Sequence, residues 1–250
     1  MTDTAVNPRL DLCVSLESLH RLAFSDNLNE TARKYMFKSQ GKVEPPVNLA
    51  TPISLSKVLE LDGLDHTLSC FPLTLENSDQ FAMSLACDYA EHVLQIFEAQ
   101  YPRDERLYEY IRIARLFASG ETTEDQFREA ASGVDRCVSN VIEAIQSSGD
   151  PSLVAYPFPF FAAVATSELY ALNGNVCDGL LTVAKLGRTA LACATRLVKA
   201  HELPPIGMSE DREPHVLLLS EAEASGHFLE EKWQIERLMT LFWEACAYQK

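Results

Sequence analysis

Apolar and polar positions recur with a helical period along most of this chain. One segment, from about Asp79 to Gln100, is apolar around most of its circumference when successive residues are placed ~100° apart. Its polar side chains form one narrow stripe: Ser84, Asp88, Glu91, Gln95 and Glu98, with His92 at the edge. A helix with so little polar surface must be surrounded by other helices. The pattern therefore predicts a central helix here.

Turn and capping residues predict the helices that follow it. Pro102 ends the central helix, because a residue before proline avoids the helical conformation, and Asp104 is expected to cap the next helix. Gly120 is expected to close that second helix in a left-handed conformation. Thr123 and Gln126 have the spacing of a capping box, which predicts a third helix beginning beside them.

Shorter signals predict further helices on both sides of these three. Ser54 is a candidate N-cap, and the helices are expected over 54–61, 65–71, a segment ending at Leu172, 176–200 and 217–247. No segment alternates as a strand does. The sequence therefore predicts an all-α fold, with one bundle-like domain of orthogonally packed helices over 51–250. Residues 1–50, with short helical patterns and a proline-containing linker, are expected to be a helical N-terminal extension.

The acidic composition changes the picture of what the chain binds. Its 250 residues are 47% hydrophobic, enough to fill a core, and carry a formal net charge of −15. A chain this acidic repels phosphate backbones and anionic lipid, so we expect neither nucleic acid nor membrane as a partner. The simpler explanation of the acidity is that it keeps the protein soluble; if the charge serves binding, it favours a basic partner.

Cysteine usage indicates the compartment. Seven cysteines are scattered without a CxxC pair, and Cys87, Cys137 and Cys193 have apolar neighbours at helical spacing. Such thiols are typically buried and reduced, which indicates a reducing compartment. Residues 1–10 are polar, so no signal peptide is expected, and the apolar stretch 176–200 carries too many charges to span a membrane. We predict a cytoplasmic protein.

The central stripe holds the sharpest candidate chemistry. Asp88 and His92 are four residues apart on one helix face, with Glu91 beside them. These three are the candidate catalytic residues: a carboxylate and an imidazole could bind a metal or form an oriented base. The pairs Glu223/His227 and Asp62/His66 have the same spacing, which is also common in purely structural pairs.

Metal binding is the less favoured interpretation, because no Glu-x-x-His repeat is present. No metal or cofactor is expected. If a divalent iron or manganese ion is bound, its ligands are expected among Asp88, Glu91, His92, Glu223 and His227. Arg106 and its neighbouring arginines could face an anion, but interspersed acids favour a solvated mixed face. Phosphate loops, GxSxG and HExxH do not occur in the sequence.

The segment 84–120 resembles a bacterial family, the putative immunity proteins, which are all-helical and encoded near polymorphic toxin genes. The resemblance rests, in order and spacing, on Ala86-Cys87-Asp88, Ala90-Glu91-His92-Val93-Leu94, Ile96-Phe97-Glu98, Tyr101-Pro102, Asp104, Arg106, Ile111, Ala114-Arg115 and Gly120. Residues 64–68 look like the family's entry helix, and Trp233-Gln234 with Arg237-Leu238 is similar to its closing helix. The resemblance thus extends over about 53–245. Gln95 and Leu107 depart from it, since the family tends to have proline there.

The resemblance implies a non-enzymatic immunity factor that neutralises a toxin by direct binding, and the acidity favours a basic toxin. The expected contact residues are Trp233, Gln234, Arg237, Tyr156, Phe158, Phe160 and Arg106. A second copy of the chain, forming a homodimer, is a further candidate partner. The alternative is a helical enzyme or ligand-binding protein of a biosynthetic cluster, metal-dependent or not, with a pocket around Asp88, Glu91 and His92.

Overall fold

A computed structural model describes residues 13–15, 52–70, 78–100, 105–148, 176–203 and 213–248. These ranges are almost entirely helical, which confirms the all-α prediction. The helices are α1 (Leu55–Cys70), α2 (Ser78–Gln100), α3 (Arg106–Ala118), α4 (Glu124–Ser148), α5 (Val176–Glu202) and α6 (Glu213–Tyr248). The strands are β1 (Cys13–Ser15) and β2 (Pro52–Ser54).

The chain divides into two compact units. One comprises Met1–Ser78 with Ile235–Lys250, and the other comprises Asp79–Gln234. The long helix α6 therefore contributes its first part to the second unit and its last part to the first. Most of residues 1–50 and the expected helix ending at Leu172 lie outside the described residues, so the helical N-terminal extension stays a prediction.

In the first unit, β1 and β2 pair antiparallel, with Val14 opposite Ile53. This ladder was not indicated by the sequence, because three residues are too few to show an alternating pattern. Ser54 ends β2 and caps α1: its Oγ accepts a hydrogen bond from the Lys57 amide at 3.2 Å, which confirms the predicted cap. At Gly63 the backbone is non-helical, with φ of 80°. The two short helices predicted here are therefore two segments of α1 joined by a glycine.

The second unit is built around α2. Nine apolar residues of this helix are buried: Ala82, Met83, Leu85, Ala86, Cys87, Tyr89, Ala90, Val93 and Leu94. At ~100° per residue they span about 200° of the helix circumference, which is wider than the apolar stripe of about 100° typical of a surface helix. The prediction of a central helix is confirmed.

The turn between α3 and α4 follows the sequence signals closely. Gly120 has φ of 77° and its amide donates to the Phe117 carbonyl at 3.0 Å, so it closes α3 as predicted. The Gln126 amide donates to Thr123 Oγ1 at 3.3 Å, and the Thr123 amide donates to Gln126 Oε1 at 3.2 Å. These reciprocal bonds are the predicted capping box. The predicted cap Asp104 lies outside the described residues, and α3 begins after Glu105, whose side chain makes no capping bond.

Helices α5 and α6 lie close together at Gly226. A Cβ atom on this glycine would lie 2.6 Å from the Leu191 carbonyl oxygen and 2.9 Å from Ala192 Cα. Both atoms belong to the backbone of α5, so they cannot rotate away. The absence of a side chain at Gly226 is therefore what allows the two helices to pack at this distance.

We expect Gly226→Ala to lower the free energy of unfolding by about 1–3 kcal/mol, because the added methyl group forces α5 and α6 apart. Gly133→Ala is the matched control: it is also a helical glycine, but nothing lies within 4 Å of the new Cβ. Helix propensity predicts that this control is stabilised by up to about 1 kcal/mol. Urea unfolding followed by circular dichroism measures both. A neutral Gly226→Ala variant would contradict the close approach.

Candidate functional site

The candidate residues on α2 contact two different neighbouring helices. Asp88 and Glu91 face α3, whereas His92 faces α6. Each side chain is hydrogen-bonded to a group from another helix, as polar groups that are partly removed from water require. The stripe therefore divides into two sites with different chemistry.

On the α3 side, Arg115 binds both carboxylates. Its Nη1 donates to Asp88 Oδ1 at 2.6 Å, and its Nη2 donates to Glu91. Asp88 is only 9% exposed, so it depends on this cation more than the half-exposed Glu91 does. Burial alone would lower the pKa of Arg115, but the adjacent Asp88 and Glu91 raise it above its usual value. Asp88 and Glu91 are thus held as an ion-paired contact between α2 and α3.

On the α6 side, His92 pairs with a carboxylate that is fully buried. Its Nδ1 lies 2.8 Å from Oε2 of Glu230, whose side chain is 0% exposed. The other Glu230 oxygen accepts from Nε2 of Gln234 at 3.1 Å. The indole of Trp233 stacks on the imidazole with ring centroids 3.6 Å apart and planes 4° from parallel. The orientation of the His92 ring is therefore held by stacking on its face and by the contact of its Nδ1 with Glu230.

A second layer of bonds holds this group in place. Gln234 Nε2 also donates to the Ala184 carbonyl of α5 at 3.0 Å, and the Tyr89 hydroxyl donates to the Gln234 carbonyl at 3.0 Å. Gly187 lets α5 come close, since a Cβ there would lie 3.1 Å from Gln234 Nε2 and 3.5 Å from Glu230 Oε1. The three helices α2, α5 and α6 thus meet at one buried polar cluster.

A recess of about 300 Å³ opens beside this cluster. It is lined by His92, Val93, Gln95, Ile96, Leu191 and Glu230. Its walls are mainly apolar, and its polar groups are the Gln95 amide, the His92 imidazole and the buried Glu230 carboxylate that orients this imidazole. Such an arrangement can bind a small polar group or accept a proton. Asp88 and Glu91 do not line this recess.

The remaining metal-ligand candidates lie in separate ion pairs. Glu223 accepts from Arg196 of α5 at 2.7 Å, and His227 lies 3.8 Å from Glu231 along α6. His66 is buried, and the Asp62 side chain lies outside the described part of the structure. Within the described ranges, no group of three or more His, Cys, Asp and Glu residues could hold a metal ion.

The expected contact residues differ in accessibility. Arg106 is exposed at the start of α3 and Arg237 is half-buried. Trp233 stacks on His92. Gln234 is fully buried, and its amide group is hydrogen-bonded to Glu230 and to the backbone of α5. Gln234 therefore supports the cluster from inside and is not presented to a partner. Tyr156, Phe158 and Phe160 lie outside the described residues.

Glu230 is the member of this cluster that the sequence did not indicate. It lies four residues before Gln234 and eight before Leu238, both of which are buried. This helical spacing places the Glu230 carboxylate on the buried side of α6, where it needs a hydrogen-bonding partner. The spacing is therefore the sequence feature that could have indicated the contact.

A second recess, of about 480 Å³, lies between α3 and α4. Its floor includes Ile113, Leu116 and Ala130, and its polar lining consists of Arg112, Glu121, Thr122, Gln126 and Glu129. The charge of Arg112 is offset by a two-point ion pair with Glu109, at 2.8 and 2.7 Å. Glu121 and Glu129 therefore give this cleft an acidic character; we call it the acidic cleft.

Cys87 is buried and free, as predicted. Burial raises the pKa of its thiol from 9.0 to about 12, so the thiol stays protonated and is a poor nucleophile. Cys193, expected to be buried, is only partly so. Burial raises its pKa as well.

Residues 73–141 match the family model described as Imm-5 like putative immunity protein. The match covers α2, α3 and most of α4, and it includes the Asp88–Arg115 pair and the acidic cleft. It confirms the resemblance seen at 84–120 and supports an immunity role. The wider resemblance, over about 53–245, stays a prediction. No curated protein and no solved structure is significantly similar to the chain.

None of the described helices has the length and apolar character needed to cross a membrane.

We expect Arg115→Met to lower the free energy of unfolding by about 2 kcal/mol, because it leaves the buried Asp88 carboxylate without its cation; partial exposure of Arg115 keeps the loss below that of a fully buried pair. Arg112→Met is the matched control on the same helix, since its ion pair with Glu109 is more than half exposed. The control should change stability little. Urea unfolding measures both variants. Equal losses of stability would contradict the idea that the partly buried Arg115–Asp88 pair matters more than the exposed Arg112–Glu109 pair.

The Cys87 thiol should make stability fall at alkaline pH. Its folded pKa of about 12 exceeds the ordinary 9.0, so the folded state retains a proton that the unfolded state loses above pH 9. The contribution of the protonated thiol to the stability of the fold is fully present below pH 9, and it declines as the pH rises toward 12. Between about pH 7 and pH 10, the free energy of unfolding should fall by about 1 kcal/mol more in the wild type than in Cys87→Ala. Equal losses in urea unfolding would show that the thiol ionises freely.

Proposed function

We propose that this chain is a non-enzymatic immunity factor that binds and neutralises a basic protein toxin in the cytoplasm. The observation that carries the proposal is the match of residues 73–141 to the immunity protein model. The net charge of −15 supports a basic partner, because opposite charge accelerates association and disfavours other acidic proteins.

The geometry of the stripe supports binding over catalysis. Asp88 and Glu91 are engaged by Arg115, and His92 is engaged by Glu230 and covered by Trp233. Each interaction joins two helices, so removing it to free a catalytic group would weaken the packing. Side chains held in this way stabilise a scaffold on which a partner surface is presented.

The acidic cleft is our candidate for the main toxin contact. It lies within the matched residues, and its apolar floor and acidic lining suit a lysine or arginine side chain. The aliphatic stem would cover Ile113 and Leu116, while the cationic head would meet Glu121 and Glu129. A recessed site for a basic side chain offers both burial and charge pairing.

Further contacts are proposed from the sequence. Arg106 and Arg237, with the aromatic residues Tyr156, Phe158 and Phe160, would extend the interface, and Trp233 would take part through its accessible portion. Aromatic and arginine side chains are the residue types that most often anchor protein interfaces.

Co-expression with the product of the neighbouring gene tests the proposal. We expect the chain to restore growth, and the purified pair to bind with an affinity that falls as salt rises from about 0.05 to 0.5 M, because screening shortens the range of charge interactions to below ~10 Å. Failure to restore growth, together with no detectable complex, would contradict the proposed function.

The acidic cleft can be tested by charge reversal. Glu129→Lys places a cation where the toxin's basic side chain would bind, so we expect the affinity to fall by about tenfold or more. Glu143→Lys is the matched control, because Glu143 is exposed on the same helix and does not line the cleft. Isothermal titration calorimetry measures both. Equal effects would show that only net charge matters and would remove the cleft from the interface.

A second candidate function rests on the recess beside His92. Its oriented imidazole and apolar walls suit a small polar ligand, as in a ligand-binding protein or enzyme. This reading would replace the first if no neighbouring gene product were toxic and protein purified without chelator carried stoichiometric iron or manganese.

A further inference from the structure

The first part of α6 has an exposed apolar face that no described helix covers. Phe228 is 65% exposed, Leu217 59%, Leu229 52% and Leu218 38%. Large apolar side chains clustered at this level of exposure are unusual on a monomer and indicate an interface. The outer face of α6, as we define it, consists of Leu217, Leu218, Glu221, Ala224, Ser225, Phe228, Leu229 and Lys232.

Helical geometry places this face away from the packed side of α6. Gly226, Glu230 and Gln234 are four residues apart and buried. Phe228 lies two residues beyond Gly226, which is ~200° around the helix at 100° per residue. The packed side and the outer face are therefore nearly opposite, so the outer face is available without disturbing the cluster around His92.

The charges on the outer face are arranged to be self-complementary. Glu221 and Lys232 are eleven residues apart, close to three helical turns, so they lie at nearly the same angle on the face. In a second copy running antiparallel, each Glu221 would lie opposite the partner subunit's Lys232. A parallel copy in register would instead place like charges together.

Phe228 and Leu229 fit the same antiparallel arrangement. With the two-fold axis passing between the positions of Gly226 and His227 along the helix, Phe228 lies opposite the partner subunit's Ser225. Leu229 then lies opposite the partner subunit's Ala224. A large side chain facing a small one on both sides of the axis allows the two helices to pack closely.

We propose that the chain forms a homodimer through antiparallel pairing of the outer faces of α6. The apolar contacts of Phe228 and Leu229 provide the stability, and the two Glu221–Lys232 pairs select the antiparallel register. The net charge of −15 on each copy opposes association. We therefore expect a dimer of micromolar dissociation constant. It uses no residue of the acidic cleft, so it stands independently of toxin binding.

Sedimentation equilibrium of the full chain at about 1–100 µM tests the dimer, a range that spans the expected dissociation constant. Phe228→Asp should raise the dissociation constant by about 30-fold or more, because it places a charge at the centre of the contact. Val198→Asp is the matched control: Val198 is 61% exposed on α5 and lies outside the outer face. It should leave the constant unchanged. Circular dichroism confirms that both variants remain folded.

Charge reversal tests the register. Glu221→Lys and Lys232→Glu should each weaken the dimer by about tenfold, since each places two like-charged pairs across the axis. The double variant restores opposite charges and should return the dissociation constant to within about threefold of the wild type.

Three results would overturn the proposal. If the chain stays monomeric at about 100 µM, the outer face does not bind a second copy, and its partner is a different protein. A loss of dimer in Val198→Asp equal to that in Phe228→Asp shows that added charge alone is responsible. A double variant as weak as the single variants excludes the antiparallel Glu221–Lys232 pairing.

Discussion

The structure of the second unit depends on how α2 neutralises its polar stripe. More than half of the circumference of this helix is buried, and Asp88, which is only 9% exposed, cannot rely on water for solvation. Arg115 supplies a cation to Asp88 and Glu91, and Glu230 supplies a carboxylate to His92. Breaking either pairing leaves a poorly solvated charge, which costs more than the pair contributes when intact. The stripe therefore fixes which faces of α3 and α6 can lie against α2.

This constraint also limits the chemistry of the site. Glu230 engages one nitrogen of His92 and Trp233 covers one face of its ring, so a general base at this position would have to use the second ring nitrogen. Cys87 is adjacent to Asp88 in sequence, yet its raised pKa keeps the thiol neutral. The residues that looked most reactive in the sequence are thus the ones most engaged in packing. That engagement suits a rigid scaffold whose outer surfaces contact other proteins.

Local signals in the sequence predicted local structure well. The central helix, the Ser54 cap, the Gly120 stop and the Thr123–Gln126 capping box depend on residues within a few positions of one another. The partners of the stripe could not be predicted in the same way. His92 and Glu230 are 138 residues apart, and their contact depends on how α5 lets α6 approach through Gly187 and Gly226. The acidic cleft likewise arises from the angle between α3 and α4, which periodicity does not specify.

The residues that match the immunity protein model cannot bury α2 by themselves. Residues 73–141 supply Arg115 for one side of the stripe, but Glu230, Trp233 and Gln234 come from α6, beyond the match. Without them, His92 and Tyr89 would lose the groups that they contact on the other side, and the apolar circumference of α2 would be exposed. Helix α5 and the first part of α6, up to Gln234, are therefore in the same compact unit as most of the matched segment. Whatever surface the matched segment presents to a partner, its stability comes from residues that the family model does not cover.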